Sequence, residues 1–301
     1  MSHIKEIRER INSIRDTQKI TNAMYLISST KLRKAQKDLA ATEPYFYGMQ
    51  AMIERLQRHL PDIQNPYFES GSTVPEDEKV VGYLVITADK GLAGAYNHNV
   101  LKLTEKELGK HKKTLLFVVG ELGRQYFEAR HVPIDEQFLY TAQNPSLHRS
   151  RLITLRMIDL FKTGKMHELH IVYTAMVNKM ESEVMMEQLL PLKSNIPLGI
   201  PIDVIQEEFM LQPSPEAVID AVVPNCTNGF IYSALVESFC SEQNSRMIAM
   251  QNANRSANEI LHELQIEYNR ARQAMITQEI TEVCSGARAQ RERKKAANAR
   301  R

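Results

Sequence analysis

The sequence is poor in the residues that build covalent or metal-bound frameworks. Its three cysteines, Cys226, Cys240 and Cys284, are an odd number, are widely spaced and include no CxxC pair. This pattern is typical of reduced cysteines in a cytosolic protein and not of a disulfide or zinc framework. The nine histidines are scattered without the spacing of metal ligands, so we expect no metal site. Tryptophan is absent, which by itself says little about function.

Long apolar runs and a strong charge of one sign are also missing. No stretch of roughly 18 apolar residues occurs, so we expect no direct insertion into a membrane. Residues 1–10 are charged and lack the apolar core of a signal peptide. The formal net charge of +2 gives no general attraction to nucleic acid or to a membrane surface.

The sequence motifs of catalysis are missing too. There is no GxxxxGK[ST] or GxGxxG phosphate loop, no HExxH and no GxSxG. The first apolar run is followed by a loop that contains Gly91 and Gly94. In one interpretation, two such glycines bind an anion. In the other, which is the more frequent case, they allow a tight turn from a strand into a helix. We therefore expect no catalytic residue, no cofactor and no enzymatic activity of the chain on its own.

The most regular feature that is present is the C-terminal run from Met247 to Glu282. Its apolar positions alternate at spacings of three and four, without proline or glycine. The seam formed in this way comprises Met247, Met250, Asn254, Ala257, Leu261, Leu264, Tyr268, Ala271 and Met275. This spacing is typical of a coiled coil, so the helix needs a partner helix.

The N-terminal segment supplies such a partner. Ile4, Ile7, Ile11 and Ile14 repeat with the same spacing inside a helix that we predict over residues 3–58. We therefore expect the two ends of the chain to form one rod.

The N-terminal pattern changes after the isoleucines. The apolar phase is lost at Gln18 and Thr21, and a second stripe begins with Ile20, Met24 and Ile27. Such a change indicates that the helix takes a different partner or alters its supercoil there. A bundle helix whose core face wanders is the alternative.

The middle of the chain has a strand-and-helix pattern. Continuous apolar runs at 80–87, 115–119 and 169–174 are typical of buried parallel strands, and residues 180–191 are typical of an edge strand. Helical patterns lie between the runs, at 97–110, 121–130 and 146–163. This alternation predicts an α/β domain with helices on both faces of a mostly parallel sheet.

Composition divides the chain into six segments. They are a long N-terminal helix (1–60), a linker (61–79), the α/β domain (80–193), a return linker (194–215), a long C-terminal helix (216–287) and a basic tail (288–301). Residues 224–229 are poor helix formers, so we expect a kink or a short break there. The basic tail has no aromatic residue to stack on bases, so we expect no nucleic-acid binding.

Three blocks of sequence carry a resemblance to a known family. They are residues 17–21 (TQKIT), residues 86–97 (ITADKGLAGAYN) and the continuous stretch 268–282, which contains YNRARQA and ITQEITE. Over residues 1 to about 287 the chain resembles the gamma subunits of F-type ATP synthases. The family signature near the end matches at Ile276, Thr277, Glu279, Glu282, Gly286 and Ala287.

The resemblance implies a function that the helical pattern alone does not. It implies a long antiparallel coiled coil of the N- and C-terminal helices together with a Rossmann-like α/β domain. The chain would be the central rotor shaft, one copy per complex, inside a hexamer of alpha and beta subunits, and it would stand on the membrane c-ring with the epsilon subunit. Ion-driven rotation would then be coupled to ATP synthesis or hydrolysis at the beta subunits. The complex would lie peripherally on the cytoplasmic face of a bacterial cell membrane.

The resemblance also assigns partner contacts to individual residues. Arg272, Gln273 and Thr277 correspond to positions that hydrogen-bond a loop of the beta subunit. Arg246 corresponds to a second contact with beta, and Met24 lies where a lever loop of beta bears on the shaft. At Asn22 and Gln212 the chain departs from the family, which usually has lysine and glutamate at these two positions.

Two other functions remain as alternatives. The chain would act as a freestanding coiled-coil scaffold that binds a partner through its α/β domain, or as a nucleotide-using enzyme on that domain. The missing phosphate loop argues against the enzyme.

Overall fold

The computed structural model describes residues 2–59, 65–68, 74–75, 78–139, 142–177, 181–192 and 211–298. Its elements, in chain order, are α1 (Ser2–His59), β1 (Val80–Ile86), α2 (Tyr96–Leu108), β2 (Lys113–Val119), α3 (Glu121–Ala129), β3 (Glu136–Phe138), α4 (Leu147–Lys162), β4 (Glu168–Met176), β5 (Ser182–Leu190) and α5 (Pro215–Asn298). The chain divides into two compact units. The first unit consists of Met1–Leu26 and Met250–Arg301, and the second of Ile27–Ala249.

The second unit is built on a five-stranded sheet with the strand order β3-β2-β1-β4-β5. The first four strands are parallel, and β5 joins β4 in antiparallel fashion at the edge. In the register of the sheet, Val85 of β1 lies between Val118 of β2 and Val172 of β4. After β1, the chain adds β2 and then β3 on one side of β1, and it places β4 and β5 on the other side. The carboxyl ends of β1 and β4 therefore border the switch point, where doubly wound sheets have a crevice.

Each face of this sheet packs against helices. Successive side chains of a strand point to opposite faces, so Val85 joins a buried cluster with Val100 of α2 and Phe127 of α3. Leu84 instead joins the larger cluster with Met157 of α4 and with residues of α5. Two buried layers result, one on each side of the sheet.

The predicted α/β class with a mostly parallel sheet is confirmed. The three apolar runs correspond to β1, β2 and β4, the edge strand corresponds to β5, and the three helical patterns correspond to α2, α3 and α4. The short strand β3 was not predicted. Its three residues are all half-buried, which is too little sequence to show an alternating pattern.

The helix α5 continues without interruption through residues 224–229, so of the expected kink or short break, the break is wrong and the kink stays a prediction. Polar side chains there have local partners. The amide of Asn225 donates a 2.8 Å hydrogen bond to the carbonyl oxygen of Ala221. The side-chain oxygen of Asn228 accepts a 2.8 Å hydrogen bond from the hydroxyl of Ser150 on α4. Burial against the sheet therefore outweighs the poor helix propensity of this stretch.

Part of the predicted first linker belongs to the core. Most of the linkers 61–79 and 194–215 lies outside the described residues. Within the described part, Tyr67 and Phe68 are only 1% and 6% exposed. The Tyr67 ring stacks on Phe161 of α4 with ring centroids 5.9 Å apart, and Phe68 forms a parallel bridge with Leu192. The prolines and charged residues around these two aromatic residues make the segment resemble a linker, so a prediction from composition does not place them in the core.

Candidate functional site

The first unit pairs the beginning of α1 with the C-terminal half of α5. Ile7 and Ile11 are 4% and 6% exposed and pack against Leu264, which is also 6% exposed. Partly buried side chains complete this cluster, namely Ile14, Leu261, Tyr268 and Ala271. Ile4 and Met275 are half-buried, and Met250 is buried. Among the predicted seam residues, those of this cluster lie in the contact between the two helices, whereas the placement of Ile4, Met250 and Met275 in the seam stays a prediction.

Polar residues continue the helix pair where the isoleucine pattern stops. Gln18 hydrogen-bonds Asn258, and the Thr21 hydroxyl hydrogen-bonds Asn254. Residue numbers rise along α1 as they fall along α5, so the two helices are antiparallel. The loss of apolar phase does not mark a change of partner helix, because α5 is still the partner of α1 at Thr21.

Beyond the seam, residues 276–291 of α5 are exposed on all sides of the helix. The three residues assigned to the beta subunit, Arg272, Gln273 and Thr277, are exposed. The remaining signature residues are exposed as well, namely Ile276, Glu279, Glu282, Gly286 and Ala287. None of these side chains is needed to hold the helix pair together, and all are therefore accessible to a partner.

The same end of α5 carries an exposed apolar stripe. Ile276, Ile280 and Val283 are 43%, 59% and 72% exposed. Their spacing of four and three residues places them on one side of the helix. Large apolar side chains grouped in this way mark an interaction surface more often than single exposed ones do. This stripe was not predicted, although its spacing was visible in the sequence.

The first unit has a second exposed apolar group on α1. Met24 is half-buried, and Ile20 and Leu26 near it are 62% and 58% exposed. The predicted second stripe therefore begins on the surface. Further along α1, in the second unit, the residues Leu32 and Ala35 are buried against α5.

In the second unit, Arg246 of α5 occupies the crevice at the switch point of the sheet. Its Nη2 donates to the carbonyl oxygens of Lys90 and Gly91 at 3.0 and 3.1 Å, and its Nε donates to Gly91 at 3.3 Å. Its Nη1 pairs with Glu242, one helical turn away, at 2.6 Å. The assignment of Arg246 to the beta subunit stays a prediction, and within this chain its guanidinium binds the loop after β1.

The crevice around Arg246 contains one buried acid, Glu242, and one half-buried acid, Asp89. Glu242 is 6% exposed, and burial raises the pKa of its carboxyl; Asp89 adds to this rise, while Arg246 and Lys31 partly offset it. Asp89 accepts a 3.0 Å hydrogen bond from the backbone N–H of Glu121 through one oxygen, and its other oxygen is buried without a hydrogen-bond partner. The two neighbouring carboxyl groups therefore favour a cation at this position.

This geometry argues against nucleotide binding at the crevice. A phosphate site at the end of a strand presents backbone N–H groups to the anion. Here the loop after β1 presents the carbonyl oxygens of Lys90 and Gly91, and a side chain of the same chain already binds them. Of the two interpretations of Gly91 and Gly94, the structural crossing fits this loop.

The cysteines differ in accessibility. Burial raises the pKa of both Cys226 and Cys240 to about 12, and both are buried, whereas Cys284 is exposed. In the described part of the chain, no three His, Cys, Asp or Glu side chains are grouped to hold a metal ion. No described helix is both long and apolar enough to cross a bilayer.

Comparison with known proteins identifies the family. A family model described as ATP synthase matches residues 3–290. The ATP synthase gamma chain of Acetivibrio thermocellus is 42% identical over 295 residues, which cover 96% of this chain and 99% of the relative. A relative from Acetobacterium woodii, named ATP synthase gamma chain, sodium ion specific, is 34% identical and is covered over 98% of its length by 95% of this chain.

The fold is shared with solved structures of low sequence identity. A chain of the Euglena gracilis mitochondrial ATP synthase, in a structure of OSCP, F1 and c-ring, superposes with a TM-score of 0.66 at 14% identity. The superposition covers 96% of this chain and 94% of that one. Taken with the 42% identity of the Acetivibrio relative, these findings show that the chain belongs to the gamma-chain family of ATP synthases.

Proposed function

We propose that this chain is the central rotor shaft of an F-type ATP synthase, coupling ion-driven rotation of the c-ring to ATP synthesis or hydrolysis in the beta subunits. The observation that carries the proposal is the difference in burial between two sides of α5. One side is buried against α1, and another side exposes Ile276, Ile280 and Val283. A rotating shaft needs a buried contact between its helices, and it needs an exposed surface that contacts the other subunits.

The buried side supplies stiffness. Burying one Leu, Ile or Met contributes roughly 1.5–3 kcal/mol, whereas an exposed ion pair on a helix contributes about 0.3–0.5 kcal/mol. The seam therefore outweighs surface charges as a source of rigidity, and exposed polar residues are better explained as partner contacts.

The exposed side supplies the contacts. We assign Arg272, Gln273 and Thr277 to hydrogen bonds with a loop of the beta subunit, and the apolar stripe to an apolar contact with the hexamer. Met24 and the exposed Ile20 form a second bearing surface for a beta-subunit loop. The chain carries no catalytic residue, binds no cofactor and leaves the ATP chemistry to beta.

The remaining partners follow from the same role. We assign the second unit to contacts with the epsilon subunit and the c-ring, with one copy of the chain per complex. The complex lies peripherally on the cytoplasmic face of the bacterial cell membrane.

Co-expression of the full chain with its cognate alpha and beta subunits tests the proposal. We expect a complex that contains one copy of the chain, hydrolyses ATP and rotates the chain in a single-molecule assay. Alpha and beta expressed without the chain serve as the control. A chain that does not co-purify with them as a single copy contradicts the shaft and favours the scaffold.

The non-enzymatic role has its own test. We expect no saturable ATP binding by the isolated full chain in equilibrium dialysis with radiolabelled ATP. The matched control is the complex, which binds ATP through its beta subunits. Saturable binding by the chain alone contradicts this part of the proposal and revives the enzyme.

A further inference from the structure

We propose that Arg246 is a positioning residue: it acts as a built-in cation that fills the switch-point crevice and clasps the loop between β1 and α2 onto α5. The clasp consists of Arg246, Glu242 and the backbone carbonyl groups of Lys90 and Gly91. The carboxyl group of Asp89 lies close enough to Glu242 to raise its pKa. It lies within the second unit and does not depend on any partner. Its test is therefore independent of the proposed shaft function.

The geometry of the guanidinium carries the inference. Three hydrogen bonds of 3.0–3.3 Å join it to the carbonyl oxygens of Lys90 and Gly91, and a 2.6 Å ion pair joins it to Glu242. The side chains of Arg246 and Glu242 are only 9% and 8% exposed. A rigid planar fork satisfies several acceptors at once, which an ammonium group cannot do in the same positions.

The acceptor groups of the crevice favour a cation between them. Several of its polar groups are acceptors, namely two backbone carbonyls, the Glu242 carboxylate and a buried, unpartnered oxygen of Asp89. Without Arg246 these groups would face one another in a water-poor space, where mutual repulsion is strong. Other charged and titratable groups around Glu242 are Lys31, on α1, and the buried hydroxyl of Tyr96.

The loop needs such a clasp because its own conformation is unfavourable. Leu92 and Gly94 adopt positive φ angles of 63° and 56°, and Leu92 is a non-glycine residue that is 64% exposed. Arg246 therefore ties the loop to the part of α5 that belongs to the second unit.

Hydrogen exchange on the full chain tests the clasp through two reporter amides. The N–H of Tyr96 bonds the carbonyl of Ala93 at 3.2 Å, and the N–H of Glu121 bonds the Asp89 carboxylate at 3.0 Å. In Arg246→Ala we expect both amides to exchange about tenfold faster or more. The N–H of Leu116, which bonds Asp135 in the same unit, should keep its rate.

A matched variant and chemical rescue separate the clasp from a general loss of charge. Arg255 also pairs with a glutamate one turn away on α5, but its side chain is 83% exposed, so Arg255→Ala should leave both reporters unchanged. In Arg246→Ala, guanidinium ions at a non-denaturing concentration should restore most of the protection. Potassium ions at the same ionic strength should not.

Arg246→Lys keeps the positive charge but removes the planar guanidinium group. This variant tests the proposal if the alanine variant does not fold. We expect its reporter amides to exchange about threefold faster or more than in the wild type, with no effect of guanidinium because the ammonium group occupies the crevice. Wild-type exchange in the lysine variant overturns the proposal. Equal rescue by potassium, or faster exchange only in the presence of alpha and beta subunits, overturns it as well.

Discussion

The side-chain amide of Gln18 donates a 2.7 Å hydrogen bond to the side-chain oxygen of Asn258, joining α1 to α5. The pair lies between the isoleucine cluster and the Thr21–Asn254 hydrogen bond. Polar pairs inside a coiled-coil seam contribute less stability than apolar ones but fix the register of the helices. The seam of the first unit therefore combines an apolar part that stabilises it and a polar part that aligns it.

The apolar part predicts a large effect of one truncation. Ile11 is 6% exposed against Leu264, so Ile11→Ala removes buried methylene groups and leaves a cavity. We expect the free energy of unfolding to fall by about 2–4 kcal/mol. Urea titration of the purified full chain, followed by circular dichroism, measures this change.

Ile20→Ala is the matched control for that truncation. Ile20 is the same residue type on the same helix but is 62% exposed. Its change should stay within about 0.5 kcal/mol of the wild type. Equal losses for the two variants would show that Ile11 is not part of a buried helix contact.

Charge reversal at Arg272 tests the proposed contact with beta. Arg272 is exposed, so Arg272→Glu should leave the stability of the isolated chain unchanged. In the assembled complex we expect the affinity for alpha and beta, or the coupled ATP turnover, to fall about tenfold. Arg255→Glu, at an exposed pair on the same helix, is the control. Normal assembly and turnover in Arg272→Glu would remove this residue from the partner surface.

The apolar stripe predicts a separation of chain stability from assembly. The double variant Ile280→Gln, Val283→Gln replaces side chains that are already 59% and 72% exposed, so the free chain should lose less than about 0.5 kcal/mol. The complex should form with about tenfold lower affinity or more, because apolar contact with the hexamer is lost. Thermal unfolding of the chain and pull-down titration with alpha and beta measure the two effects. Unchanged assembly would show that the stripe stays in solvent.

The ion pair of Lys79 and Glu168 predicts a pH dependence. Burial opposes ionisation of Glu168, but the Lys79 ammonium at 2.8 Å and the neighbouring His170 outweigh it, and the pKa of Glu168 lies below its usual 4.5. The pair therefore stabilises the fold above that pH, and this stability is lost as the pH falls through the lower folded-state pKa.

Glu168→Gln measures that contribution. At pH 7 we expect the free energy of unfolding to fall by about 1–2 kcal/mol, because both side chains are only 19% exposed. Once the pH has fallen below the lowered folded-state pKa of Glu168, the wild type and the variant should converge. Glu259→Gln, at an exposed pair, should show little change at any pH. A constant gap between the curves would assign the effect to packing instead of charge.

Much of this fold follows from local pattern. Continuous apolar runs predict β1, β2 and β4 because buried parallel strands are apolar on both faces. The seam through Leu264 predicts the helix pair because helical spacing alone places these residues on one side. Both kinds of signal extend over many residues, and no single substitution hides them.

What the sequence does not predict depends on contacts between distant segments. Residues 224–229 remain helical because the stretch packs into the core through the buried Cys226, a contact that local propensity does not contain. Arg246 binds the backbone of a loop more than 150 positions away in the sequence, and a carbonyl acceptor leaves no trace in residue type. Resemblance to a family suggested a partner for this residue, whereas the geometry within the chain gives it an internal role.

The unequal burial of the three cysteines makes this chain selectively reactive as it stands. Thiolates attack maleimides and thiols do not, so Cys226 and Cys240, with pKa values near 12 and no access to solvent, should remain unlabelled in the native state. Cys284 is exposed next to the apolar stripe and should take up a single fluorophore. Its alkylation rate, compared with and without alpha and beta subunits, then reads out directly whether the end of α5 is covered.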